Sequence, residues 1–135
     1  MGLETMQSKE VVPMALSIVD ELERKAAQQT IEEARESTGL NYVDIASALE
    51  IDRRTLLRYR KLMNTPAPEV RDRLEALRQI SFLIDEVFEN GEDGLRWLYQ
   101  PVPLLQGRRP VDLIRKGELN KVLSVLAGVY SGSFV

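Results

Sequence analysis

The sequence predicts an all-α protein, and three observations carry that reading. Apolar residues recur at intervals of three and four along nearly the whole chain, and no segment alternates apolar with polar residues over the length of a strand. Capping residues and chain breakers fall between the periodic stretches: Gly39, Asn41, Asp52, the break Asn64-Thr65-Pro66-Ala67-Pro68, and Asn90-Gly91. The chain has 135 residues, which suits one modest domain or two small halves sharing a core.

The elements follow in order. A first amphipathic helix is expected from about Met14 to Ala27, with Leu16, Val19 and Leu22 on one face. Docking on the body and pairing with a copy of itself are both open to it. A second helix, about Ile31 to Thr38, stops at Gly39, which suits a cap that needs a left-handed residue. Asn41 then caps a helix with Ile45 and Leu49 inward, Glu50-Ile51 turns the chain, and Asp52 caps a helix from Arg53 to about Leu62. Pro68 is placed for the first turn of a long helix that carries Val70, Leu74, Leu77, Ile80, Ile84 and Val87 and ends at Asn90-Gly91. Beyond it come a helix around Leu95 to Tyr99 and a loop stiffened by Pro101, Pro103 and Pro110 and turned at Gly107. A short helix from Pro110 to Ile114 and a turn at Lys116-Gly117 lead to a last helix with Leu119, Val122, Leu123 and Leu126 inward; Ser131 to Val135 reads as irregular.

Composition narrows the function classes. With no cysteine and no histidine, the chain lacks disulfides, zinc-finger ligands, a thiol nucleophile and the side chain that most often moves protons near neutral pH. Metal or nucleophilic catalysis would have to rest on carboxylates and hydroxyls alone, and no catalytic residue, metal site or cofactor is assigned. The acid pairs Asp85-Glu86 and Glu92-Asp93 are explained by solvation or by favourable interaction with helix ends. No stretch approaches the ~18 consecutive apolar residues of a membrane helix. Nor does Met1-Gly2-Leu3-Glu4 match a secretory or transit signal, so a cytoplasmic location without membrane contact is expected.

The net charge of −3 is unevenly spread. Met1 to Ile51 holds ten acids and four bases, whereas Asp52 to Lys61 holds one acid and five bases. Asn41 to Lys61 fits a helix-turn-helix: Ala46 supplies the small residue where two steeply crossed helices touch, and Ile45, Leu49, Ile51 and Leu56 close the angle. Arg53, Arg54, Leu57, Arg58 and Lys61 are left outward, on the face that lies in the major groove when such a helix binds. Arginine there can donate two hydrogen bonds to guanine, so Arg53, Arg54 and Arg58 are assigned to base or near-base contacts and Thr55, Arg60 and Lys61 to phosphates. A homodimer on an inverted repeat of operator DNA is expected, because one such unit grips only a few base pairs. Glu50 occupies a turn position often filled by glycine, which requires a tolerated left-handed backbone or a different turn.

In the C-terminal part, Trp97 with Leu95 and Leu98 reads first as a core anchor, and the prolines fix the loop in one shape. Trp97-Leu98, Pro101, Leu105, Gly107, Pro110-Val111-Asp112-Leu113, Val122 and Leu126 occur in the order found in the toxin-binding half of the Xre-type antitoxins (the MbcA/ParS toxin-binding domain), which this segment resembles. Upstream, Ile51-Asp52-Arg53-Arg54-Thr55-Leu56 looks like the recognition-helix entry of the same antitoxins, and Pro68-Glu69 to Leu77 like their linking helix. The resemblance covers roughly Thr30 to Ser131. It departs at Arg115-Lys116-Gly117-Glu118, which is shorter and more charged than the family's turn.

The resemblance implies an Xre-like helix-turn-helix joined by a long helix to a small helical toxin-binding domain. The divisions are then 1–29 for an N-terminal extension with a possible dimerisation role, 30–66 for the DNA-binding region, 67–91 for the linking helix and 92–135 for the toxin-binding domain and tail. It further implies a type II antitoxin without catalysis of its own, which inhibits a cognate RES-domain, NAD-consuming toxin and represses its own operon. The toxin-contacting residues would be Leu105, Gly107, Arg108 and Arg109 in the loop, with Val129, Tyr130, Phe134 and Val135 at the end, where the last helix and the tail, Tyr130, Phe134 and the Val135 carboxylate, would enter or cover the toxin's cleft. The alternative is a stand-alone helix-turn-helix regulator whose C-terminal half serves dimerisation or effector binding.

Overall fold

A computed structural model describes the backbone of residues 2–132 and the side chains of 14–132. Among the described residues the elements are α1 (Gly2–Thr38), α2 (Tyr42–Leu49), α3 (Arg53–Arg60), α4 (Pro68–Val87), α5 (Gly91–Leu98), a 3-10 turn (Pro103–Leu105), α6 (Pro110–Arg115) and α7 (Leu119–Ser131). The fold is all-helical. No helix among the described residues is long and apolar enough to cross a membrane.

One expected boundary is absent. The helices predicted at 14–27 and 31–38 are a single continuous α1, so the division at residue 29 falls inside a helix. Gln28-Gln29-Thr30 contains no breaker, and Ala27, Thr30, Ile31 and Ala34 are all buried, so packing on the body holds the helical register through the polar stretch. α1 does end at Gly39, whose φ of +70° is the left-handed cap that glycine adopts without a steric penalty. The Thr38 hydroxyl, fully buried, donates to the Ala34 carbonyl and accepts from the Leu40 amide, satisfying the last turn.

Helix starts follow the capping chemistry. Asn41 Oδ1 accepts from the Asp44 amide at 2.9 Å, Asp52 Oδ1 from the Thr55 amide at 2.7 Å, and Asn90 Oδ1 from the Asp93 amide at 2.9 Å. Each such cap contributes on the order of 1 kcal/mol. α5 therefore begins at Gly91, four residues ahead of the predicted Leu95, because Asn90 caps this helix instead of ending α4. Pro68, Pro103 and Pro110 all sit in the first turn of an element, where their missing amide costs nothing.

α4 is the spine. It packs against α1 on one side and α7 on another, and Leu77 and Ile80 are completely buried between them. The buried apolar residues form one cluster running from Ala27 to Leu126, so the two halves share a core rather than building one each. Leu98 is the fully buried member of the Trp97-Leu98 pair; Trp97 is half-buried and packs its ring at 5.8 Å and 41° to Phe88.

Candidate functional site

The basic face comes from the α2–α3 unit. Ile45, Ala46, Leu49 and Leu56 are buried where the two helices meet, as the spacing predicts. The turn between them is made by Glu50 in the left-handed conformation, φ 57° and ψ 42°, which costs a residue with a Cβ about 1 kcal/mol or more. Contacts across the fold offset this. Glu50 Oε2 pairs with Arg73 Nη2 at 2.5 Å, and another guanidinium nitrogen of Arg73 donates to the Leu49 carbonyl at 3.4 Å.

Arg53, Arg54, Arg58 and Lys61 are exposed and make no ion pair among the described residues. Thr55 is half-buried at the helix start, with its amide held by Asp52. That hydrogen bond, reinforced by Arg54 and Arg58, holds the Asp52 carboxyl below its ordinary value. Arg60 stands apart from the other cations. Its guanidinium lies 3.5 Å from the Tyr42 ring centroid and 3.3 Å from Glu32, while the Tyr42 hydroxyl donates to the same carboxylate at 2.9 Å. Arg35 covers the ring too, at 3.9 Å. Arg60 thus ties α3 to α1 and α2, and its charge is partly spent on Glu32.

The C-terminal corner is built differently. Val102 and Arg108 form a short antiparallel bridge around the 3-10 turn, and the loop reverses through two successive left-handed residues, Gln106 (φ 60°) and Gly107 (φ 79°). Arg108 donates from Nε to the Leu105 carbonyl at 3.0 Å and lies 3.9 Å from Glu118. Arg109 makes a two-pronged bond to Asp112 at 2.8 and 2.9 Å, and Arg115 reaches both Asp112 and Asp44 at 3.3 Å. The Arg109 pair holds the Asp112 carboxyl below its ordinary value, with Arg115 adding to the effect.

Of the residues expected to meet a partner, Gly107, Val129 and Tyr130 are exposed and Arg108 and Arg109 are half-buried. Leu105 is corrected: it is 3% exposed and faces the core, whereas its neighbour Leu104 is 55% exposed. The 3-10 turn fixes which of the adjacent leucines points out, and no residue spacing announces that. Val129 and Tyr130 continue the inward rows of α7, Val122–Leu126–Val129 and Leu123–Leu126–Tyr130, past the end of the core beneath them. Phe134 and Val135 lie outside the described residues.

The contact between the two halves has no signature in residue spacing. The Ser47 hydroxyl donates to the Arg115 carbonyl at 2.5 Å, and Gly117 (φ +80°) lies against Glu50 and the Ala48 carbonyl, where an added Cβ would sit 3.3 to 3.5 Å from them. The partners are more than sixty residues apart.

Residues 85–132 match the family described as the antitoxin Xre/MbcA/ParS C-terminal toxin-binding domain. The mycobacterial cidal antitoxin MbcA of Mycobacterium tuberculosis is 28% identical over 106 residues, covering 78% of this chain and 93% of that protein. The probable mycobacterial cidal antitoxin Rv3188 of the same organism is 30% identical over 114 residues, covering 84% and 96%. In the crystal structure of the M. tuberculosis MbcT-MbcA toxin-antitoxin complex, one chain superposes with a TM-score of 0.59 at 28% identity, covering 80% of this chain and 96% of that one. The chain belongs to the Xre/MbcA/ParS antitoxin family.

Proposed function

We propose that this protein is the antitoxin of a type II pair, which binds and inhibits a cognate toxin through its C-terminal corner and represses its own operon through α3. The observation that carries the reading is the match of residues 85–132 to a toxin-binding domain, on the segment where the 3-10 turn and the end of α7 expose Leu104, Val129 and Tyr130. The sequence resemblance points to a RES-domain toxin that consumes NAD. The antitoxin contributes no catalytic group. Its contact face is apolar and set on a proline-stiffened loop, which limits the entropy lost on binding.

DNA recognition follows from the bare cations of α3. Two copies on an inverted repeat would each place Arg53, Arg54 and Arg58 toward base edges, with Thr55 and Lys61 at phosphates and α2–α3 acting as the helix-turn-helix. Arg60 would sit at the margin of that face. In this reading the divisions are functional more than structural: residues 30–66 read DNA, 92–135 hold the toxin, and α4 couples them through the shared core.

Coexpression with the chromosomal neighbour, copurification and mass measurement test the toxin half, and NAD consumption by the released partner tests its class. A copurified NAD-consuming protein whose activity this chain suppresses supports the reading. Purification of the chain alone, with normal binding to its own promoter, favours a stand-alone regulator.

A further inference from the structure

We infer that Leu57 is the residue through which α3 selects thymine in its target, by covering the C5-methyl group in the major groove. This rests on the proposed DNA reading of α3 and adds to it a base preference that arginine does not supply.

An apolar side chain stands where a face built for phosphate alone would carry none. Leu57 is 43% exposed, whereas its neighbour Leu56 is 2% exposed and packs inward. Leu57 lies one turn after Arg53 and Arg54 and one turn before Lys61, so at 3.6 residues per turn the four side chains share one outward patch. The three cations are exposed and make no ion pair among the described residues. Beside Leu57 the surface sinks into a recess lined by Tyr42, Arg53, Arg54, Leu56, Leu57 and Arg60. Arg60 is held there by Glu32 at 3.3 Å and by the Tyr42 ring at 3.5 Å, so one wall of the recess is set before anything binds.

The occupant follows from charge and from the chemistry of base edges. Asp52, the acid of the helix start, has its Oδ1 committed to the Thr55 amide at 2.7 Å, and Glu32 is committed to Arg60. The patch is therefore positive around an apolar centre, which suits a polyanion that also presents an apolar group. In the major groove adenine, guanine and cytosine offer donors and acceptors, and thymine alone adds a methyl group. A leucine side chain has no hydrogen-bonding atom. Against a guanine or cytosine edge it would strip water from polar groups and return nothing, whereas against thymine it covers carbon with carbon. An acidic protein surface would satisfy the cations equally, so the test separates the two.

The probe is the DNA upstream of the chain's own gene. Once a footprint defines the bound sequence, each thymine within it is replaced singly by uracil, which removes the methyl and leaves every hydrogen-bonding group in place. At one thymine in each half-site the replacement is expected to weaken binding of the full chain about three- to fourfold. Leu57→Ala is expected to bind the thymine and uracil DNAs equally at that position, and Leu57→Met, which keeps an apolar tip, to retain the discrimination. Lys61→Ala is expected to weaken both DNAs alike and keep their ratio. Both residues are exposed, so the melting temperature of each variant is expected to hold. Specific binding in which no thymine discriminates, or in which the discrimination survives Leu57→Ala, would overturn the inference and leave the reading of α3 intact. Absence of sequence-specific binding by the wild-type chain would overturn both. Leu57→Ala that keeps the thymine preference and loses capture of the toxin would assign the patch to a protein partner instead.

Discussion

The arginines of α3 and those of the C-terminal corner are the same residue type in opposite circumstances. Arg53, Arg54 and Arg58 stand in water with no ion pair among the described residues, whereas Arg108, Arg109 and Arg115 each meet an acid. An unpaired exposed cation keeps its full attraction for phosphate and a free fork of donors for a base edge. A paired one works first as a strut. Asp44, Arg115, Asp112 and Arg109 form a chain of contacts that fixes α6 against α2 and so fixes the loop that presents Leu104. In the proposed reading the charged residues of the corner hold its shape, and the apolar Leu104, Val129 and Tyr130 would meet the toxin.

Reversing charge on the bare set should give the largest effect. Arg53→Glu with Arg58→Glu is expected to weaken operator binding more than about 100-fold and flatten its dependence on salt, since each bidentate pair is worth ~1–3 kcal/mol. Titration by fluorescence anisotropy at several salt concentrations checks this. A calorimetric melt should show a loss of under about 1 kcal/mol, because both side chains are exposed and only the solvated attraction of Arg58 for Asp52 is lost.

Gly117→Ala attacks the junction between the regions. The +80° φ and the close approach of Glu50 and the Ala48 carbonyl make it cost about 1–2 kcal/mol, or several degrees in melting temperature. Operator affinity measured well below that temperature should hardly change. Asp112→Asn weakens two guanidinium contacts at once, yet the pair is well solvated, so a loss under about 1 kcal/mol is expected from chemical denaturation. If it instead matched the Gly117 variant, the corner would depend on its ion pairs more than on its core.

Acid titration should give the smallest effect. Glu75 is held down to about 2 by Arg78 and Gln79, and Asp52 and Asp112 lie below their ordinary 3.8. A carboxyl depressed in the folded state contributes stability that is complete above its ordinary value and is lost as pH falls through the depressed one. The melting temperature should therefore be flat from neutral pH to about 5 and decline below about 4, with the Asp112→Asn variant declining less.

Much of this fold was legible in the sequence because its signals are local. Asn41, Asp52 and Gly39 act within three residues of themselves, and the apolar rows of α4 and α7 need only a 3.6-residue period. What stayed hidden depends on distant partners or on single-residue geometry. Nothing in Gln28-Gln29-Thr30 says that α4 will bury Thr30 and keep α1 whole. Nothing near Arg60 says that Glu32 and Tyr42 will hold it. The exchange of Leu105 for Leu104 on the surface turns on one 3-10 turn. The basic face was read more fully than the corner, since an outward face on one helix is a local property and a corner assembled from α2, α6 and α7 is not.

The most direct test of two separate faces on one core is rescue of cells expressing the cognate toxin by Leu104→Asp/Tyr130→Asp, set beside Arg53→Glu/Arg58→Glu, with operator affinity measured for each. The expected result is crosswise: the first variant loses rescue and keeps operator affinity, and the second does the reverse. Loss of both activities in either folded variant, or full rescue by Leu104→Asp/Tyr130→Asp, would contradict it.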